Sequence, residues 1–168
     1  MRAAFCTAAV PFAFSQQTGG FYGSFYTVGR ISGRSLAGDV YKRQGTVIGP
    51  KVKIGNFVEI KNSTVGEATS VAHLSYLGDS DVGSQVNVGC GVVTANYDGK
   101  EKFRTQIGSR VFVGCNTNFI APVSAGDGSV IAAGTTLTQD VPPDSLAIGR
   151  ARQEILPGWA RRKGKYRR

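Results

Sequence analysis

Aliphatic residues return along the middle of this chain at an interval of six, and the position after each is very often glycine. The series runs Ile48, Ile54, Ile60, steps by five to Val65, Val71, Leu77, and by five again to Val82 and Val88. After a gap it resumes at Ile107, Val113, Phe119, Ala125, Ile131 and Leu137. Glycine follows at Gly49, Gly55, Gly66, Gly78, Gly83, Gly89, Gly108, Gly114 and Gly126, and small residues such as Val52, Val58, Thr69, Val86, Val111, Thr117, Val123 and Thr135 recur four places on. An amphipathic helix would need apolar residues at i, i+3, i+4 and i+7, whereas a period of six with glycine and β-branched residues fits short strands separated by corners. Each glycine is expected to supply backbone angles that a Cβ disfavours.

Three hexads, about 18 residues, make one coil of a triangular prism whose aliphatic residues point inward and stack from coil to coil. The stretch 48–141 supplies roughly five such coils. The one clear interruption, from Ala95 to Thr105, carries a turn signal and a charged run, Asn-Tyr-Asp-Gly-Lys-Glu-Lys-Phe-Arg, and is expected to protrude as a binding loop. Val141-Pro142-Pro143 ends the repeat, because proline cannot supply a ladder N–H. The sequence therefore divides into a segment without hexads (1–44), the repeat domain (45–150) and a basic extension (151–168) expected to pack over the last coil or a neighbour. The apolar run Ala3–Phe14 partly resembles a secretory signal, but its charged start is thin and Pro11 interrupts it, so 1–44 reads as a leader foreign to the repeat.

The excess of positive charge sits at the two ends. Of 20 Lys plus Arg and 11 Asp plus Glu, residues 1–44 hold five basic and one acidic, 45–150 eight and nine, and 151–168 seven and one. The net +9 is therefore a property of the two termini, and the repeat domain lacks the basic stripe a nucleic-acid groove requires. No run approaches the roughly 18 apolar residues of a membrane-spanning helix. Three cysteines, Cys6, Cys90 and Cys115, are odd in number and scattered, which points to a reducing cytoplasm rather than a disulfide framework. Gly89-Cys90-Gly91 lacks the third glycine and the following helix of a dinucleotide fingerprint, and no phosphate loop ending in Lys-Ser or Lys-Thr occurs.

The chain has one histidine, His73, so a three-histidine zinc site is excluded and no metal is expected. His73 stands in Val71-Ala72-His73-Leu74-Ser75-Tyr76, where polar groups of neighbouring coils, Lys61 and Asn87 among them, can converge on it. An imidazole titrates near neutral pH and is suited to take a proton from an attacking amine.

The ordered set Gly55-Asn-Phe-Val-Glu-Ile-Lys61, His73-Leu-Ser-Tyr-Leu-Gly-Asp79, Val86-Asn-Val-Gly89, Asn96-Tyr-Asp-Gly99, Ala121-Pro-Val123 and Ala147-Ile-Gly-Arg150 resembles one family. It is that of the C-terminal acetyltransferase domain of the bacterial bifunctional enzyme that acetylates glucosamine-1-phosphate and then uridylylates the product to UDP-N-acetylglucosamine, a precursor for peptidoglycan and lipopolysaccharide. The resemblance covers about 45–160. It implies an all-β, left-handed parallel β-helix, an exception to the right-handed crossover rule. It implies that His73 is the general base deprotonating the sugar amine, which attacks the acetyl-CoA thioester, with Glu59 orienting or polarising it. Arg43, Lys61, Tyr76, Asn87 and Lys102 would bind the amino sugar phosphate, although Arg43 lacks its usual neighbours and stands between Lys42 and Gln44. Cys90, Asn96, Tyr97, Cys115, Ala133 and Arg150 would lie against acetyl-CoA. Cys90 stands where the family commonly has Ala and Cys115 where it has Ser, which would weaken a hydroxyl hydrogen bond to a thiol one. The resemblance further implies a homotrimer with the site between subunits and no bound metal. The family's uridylyltransferase half has no counterpart here, so acetyl transfer without uridylyl transfer is expected. Two other readings stay open: a hexapeptide acyltransferase for another acceptor, and a non-catalytic trimeric β-helix or inactive fragment.

Overall fold

The computed structural model describes residues 40–42, as backbone, and 45–165. The chain winds as a left-handed parallel β-helix of about six turns. Each turn contributes one short strand to each of three flat faces. On the first face Val47–Ile48, Thr64–Val65, Ser80–Val82, Thr105–Ile107 and Val123–Ala125 pair in parallel, and Val141 bridges to Ala125 below them. The second face begins with the opening residues of the two long strands Lys53–Lys61 and Ser70–Gly78 and continues with Asn87–Val88, Phe112–Val113, Val130–Ile131 and Leu146–Ala147. The long strands bend round a corner onto the third face, where they are followed by Val93–Ala95, Asn118–Ile120 and Thr136–Leu137. Val40–Lys42, set with the leader on sequence grounds, pairs in parallel with Val58–Ile60 and starts this face one turn earlier.

The hexad residues are the core. Ile48, Val65, Val82, Ile107 and Ala125 line the first face inside, Ile54, Val71, Val88, Val113 and Ile131 the second, and Ile60, Leu77, Phe119 and Leu137 the third, all buried. Burying each large aliphatic side chain is worth roughly 1.5–3 kcal/mol, which offsets the ordering of a fold with little helix. The third stack holds a residue that the aliphatic series skips. Thr94 is fully buried in register with Phe119, accepting a hydrogen bond from Gly78 N at 2.7 Å and donating to Gly78 O at 3.1 Å. The interruption is thus an insertion within one coil, not a break in the solenoid.

The glycines do something other than expected. None of Gly49, Gly55, Gly66, Gly78, Gly83, Gly89, Gly108, Gly114 or Gly126 has positive φ; corners instead place Lys51, Ala68, Gln85 and Arg110, or Phe57, Leu74 and Asn116, in the left-handed region. The hexad glycines permit close stacking. A Cβ on Gly89 would meet Cys115 N at 2.6 Å, and one on Gly83 would meet the backbone of Gly108 at 2.7 Å.

The extension does not cover the last coil. Residues 151–159 are exposed, and the short helix Trp159–Arg162 buries no residue.

Candidate functional site

The corner between the second and third faces carries one column of the sequence-derived residues. The register Asn56↔His73, continued through Val71↔Val88, Val88↔Val113 and Val113↔Ile131, stacks His73, Cys90, Cys115 and Ala133 one above the other, one residue per coil. Backbone hydrogen bonds lock successive rungs just beyond the column: Gly91 N donates to Leu74 O, Asn116 N to Cys90 O and Gly134 N to Cys115 O, each at 2.8 Å. Beside it Gly55, Ala72, Gly89, Gly114 and Ala132 form a strip with almost no side chain, where successive rungs stack closely; Gly55 and Gly114 are buried and the other three half-buried. His73 is exposed, and Cys90, Cys115 and Ala133 are half-buried. Arg150 reaches the lower end, where its guanidinium donates to Ala133 O at 2.5 Å. Asn87 faces outward on the second face, in register with Ser70 and Phe112, and is exposed.

The corner between the third and first faces carries the other group. Asn62, Asp79 and Asn96 follow one another at intervals of 17 residues, one per coil. Asn62 donates to one Asp79 oxygen at 2.5 Å and Asn96 to the other. Lys61 Nζ lies 4.0 Å from the same carboxylate, whose side chain is only 7% exposed. Burial pushes the Asp79 pKa up, but the two amide hydrogen bonds and the charges of Lys61 and Lys102 outweigh it and hold the carboxyl below its ordinary value. Tyr76 stands outward between Glu59 and Val93, its ring lying over Gly78, where a side chain would collide with it.

The inserted loop leaves this corner as a small hairpin. Tyr97 bridges Lys102 in antiparallel fashion, Asp98 Oδ1 accepts from Lys100 N at 2.8 Å and Glu101 N at 2.7 Å, and Phe103 N returns to Asn96 O at 2.9 Å. These backbone donors lower the Asp98 pKa. Gly99 sits at the tip with φ of 100°, a conformation that a Cβ disfavours. At the loop's return, Arg104 binds Asp81 in a bidentate pair at 2.9 and 2.7 Å and reaches Asn62 O at 3.3 Å.

Most of the residues singled out from the sequence thus fall on two edges of the third face, with Glu59 and Tyr76 on the face between them and Asn87 on the second face. His73, Cys90, Cys115, Ala133 and Arg150 lie on one; Lys61, Asn96, Tyr97 and Lys102 lie on the other. His73 lies in the strand Ser70–Gly78 and Asp79 directly after it, six residues on, with the corner at Leu74 between them. Arg43 lies outside the described residues. Asp79, Asn62 and Arg104 were not singled out as site residues. Their signal was available in the 17-residue spacing of Asn, Asp and Asn, but the repeat was traced through its apolar positions.

No family model matches the chain. Its sequence is 55% identical over 127 residues to the bifunctional protein GlmU of Acetivibrio thermocellus, an alignment covering 76% of this chain and 28% of that protein. The chain is homologous to part of GlmU. The protein of the same name from Desulfitobacterium hafniense is 49% identical over 144 residues, or 83% of this chain and 32% of its own length. The chain therefore spans somewhat under a third of the GlmU proteins it matches, consistent with their C-terminal acetyltransferase domain. Among solved structures, PerB from Caulobacter crescentus in complex with CoA and GDP-perosamine aligns with a TM-score of 0.60 at 22% identity, over 66% of this chain and 51% of that one. The acetyltransferase domain of PglB from Neisseria gonorrhoeae, in complex with acetyl coenzyme A, aligns at 0.58 and 16%, over 64% and 50%. At these identities the likeness is one of fold.

Proposed function

We propose that the chain transfers the acetyl group of acetyl-CoA to the amine of glucosamine-1-phosphate, giving N-acetylglucosamine-1-phosphate and CoA for UDP-N-acetylglucosamine synthesis. The observation that carries this reading is the half-identical alignment with GlmU together with the placement of its one histidine, exposed, in one column with Cys90, Cys115 and Ala133 along one edge. In this reading His73, exposed on that edge, takes the proton of the amine as nitrogen attacks the thioester carbonyl, and Glu59 orients it. The attack forms the C–N bond, the C–S bond breaks, and the proton passes to the departing CoA thiolate. General-base catalysis of this kind contributes roughly 10²- to 10⁴-fold. Lys61, Tyr76, Asn87, Lys102 and Arg43 hold the sugar phosphate. Acetyl-CoA lies along Cys90, Cys115, Ala133 and Arg150, with Asn96 and Tyr97 closing over it.

The separation of these residues on two edges supports a second feature. A homotrimer, in which the loop edge of one copy faces the His73 edge of the next, brings the two groups together. The exposed extension, with Ile155 at 73%, Leu156 at 63% and Trp159 at 42% of full exposure, offers apolar surface that such a neighbour would cover. No described helix is long and apolar enough to cross a membrane.

The test is release of CoA thiol from acetyl-CoA with glucosamine-1-phosphate, beside His73→Ala and with the protein's own thiols subtracted. Turnover that needs both the sugar phosphate and His73 supports the reading. Turnover with another amine only points to a different acceptor, and none from a folded trimer leaves a non-catalytic scaffold.

A further inference from the structure

Two residues of the His73 edge that the acetyl-transfer reading lays against acetyl-CoA, Cys90 and Cys115, carry thiols whose own redox chemistry that reading leaves aside. Both are free and half-buried. Although 25 residues apart in sequence, with the inserted hairpin between them, they occupy the same position on adjacent rungs, two residues beyond the pair Val88↔Val113. Each precedes a corner residue in the left-handed region, Gly91 at φ 74° and Asn116 at φ 56°, so the two backbones turn alike and their Cβ atoms leave the edge in the same direction. Asn116 N donates to Cys90 O at 2.8 Å, which fixes the rung spacing beside the sulfurs.

Adjacent rungs lie about 4.8 Å apart. A disulfide accepts Cα separations of about 4.4–6.8 Å and Cβ separations of about 3.5–4.5 Å. The pair is therefore within reach, and closure requires the rungs to draw together at the Cβ atoms by about half an ångström.

We propose that Cys90 and Cys115 form a dithiol modification site that closes to an intramolecular disulfide by exchange with a low-molecular-weight disulfide. One protein thiolate attacks the small disulfide, forming a mixed disulfide and releasing one small thiol. The neighbouring thiolate then attacks the protein sulfur of that mixed disulfide, forming the Cys90–Cys115 bond and expelling the second small thiol. The protein pair is oxidised, the small disulfide is reduced, and the two protein protons leave on the two small thiols. The second step is fast because the nucleophile is held one rung away. The proposal stands apart from the acetyl-transfer reading, since it requires only the register of the two rungs.

The experiment uses the full chain with Cys6→Ser, which removes the third thiol, treated with oxidised glutathione and analysed by intact mass and peptide mapping without reduction. The expected product is a monomer lighter by two hydrogens, with the Cys90 and Cys115 peptides joined, and restored to the dithiol by excess reduced glutathione. With Cys90→Ala or Cys115→Ser in the same background, the expected product is a single stable glutathione adduct on the remaining cysteine. Stable glutathione adducts on both cysteines, disulfides between chains, or thiols that stay unreacted while the unfolded chain reacts would each overturn the proposal.

Discussion

The two edges that flank the third face solve the same geometric problem in opposite ways. At both, the chain must turn sharply once per coil and stack on itself at strand spacing. The His73 edge does so by having little there: glycine and alanine line the strip, and a Cβ on Gly114 would meet Ala133 Cα at 2.7 Å. The loop edge does so with a polar ladder, Asn62, Asp79 and Asn96, in which one buried carboxylate holds two amides from the coils above and below. The first edge stacks its rungs backbone on backbone, and the second gathers cations, Lys61 and Lys102, round a fixed anion. Smallness gives close stacking, and the ladder gives position. Neither edge by itself holds all the groups that the proposed acetyl transfer draws on.

The largest effect expected from breaking this contrast is on chemistry. His73→Ala should lower acetyl transfer by roughly 10²- to 10⁴-fold, with little change in thermal midpoint because the side chain is exposed. Steady-state kinetics beside a melting curve separates the two. Gly114→Ala tests the bare edge as structure: the new methyl is expected to cost about 1–3 kcal/mol by overpacking, read by denaturant titration. A neutral outcome would mean that the rungs can part there.

The ladder predicts a pH signature. The Asp79 carboxyl lies below its ordinary value of 3.8 when folded, so its contribution to stability is present above that pH and is lost as pH falls through the lowered folded value. Asp79→Asn should therefore be less stable than the parent at neutral pH, by about 1.5–3 kcal/mol for hydrogen bonds to a charged group. The difference should shrink below pH 3.8. Thermal melts from pH 3 to 7 read both. The smallest effect belongs to Arg104→Ala. Its pair with Asp81 is bidentate, but both side chains are more than 40% exposed, so the expected loss is below about 1 kcal/mol, seen by double-mutant cycle with Asp81→Ala.

What could be read from the sequence follows from which interactions repeat. Inward aliphatic residues recur at every face, so the hexad series marked the core stacks from Ile48 to Leu137. Thr94 escaped because a hydroxyl takes the place of an aliphatic group there and meets its needs on the Gly78 backbone. The hexad glycines were read as corner formers, but the left-handed corners belong to residues such as Lys51, Leu74 and Gln85, while the glycines answer to the neighbouring coil. That contact is one turn away in sequence and leaves no local signal. Residue types at the site were legible one by one. Their division between two edges was not, because it depends on where each corner falls within coils of 17 or 18 residues, one of which the insertion lengthens to 25.

In the proposed homotrimer the two edges act together across copies of the chain. This is tested by complementation: His73→Ala and Lys102→Ala chains, each with reduced activity alone, are unfolded together, refolded as a mixture and assayed. If a site draws His73 from one chain and the hairpin from another, random assembly gives intact sites in about a quarter of cases, and the mixture is more active than either parent. A mixture no more active than the average of its two parents would mean that each chain builds its own site, and would contradict the claim.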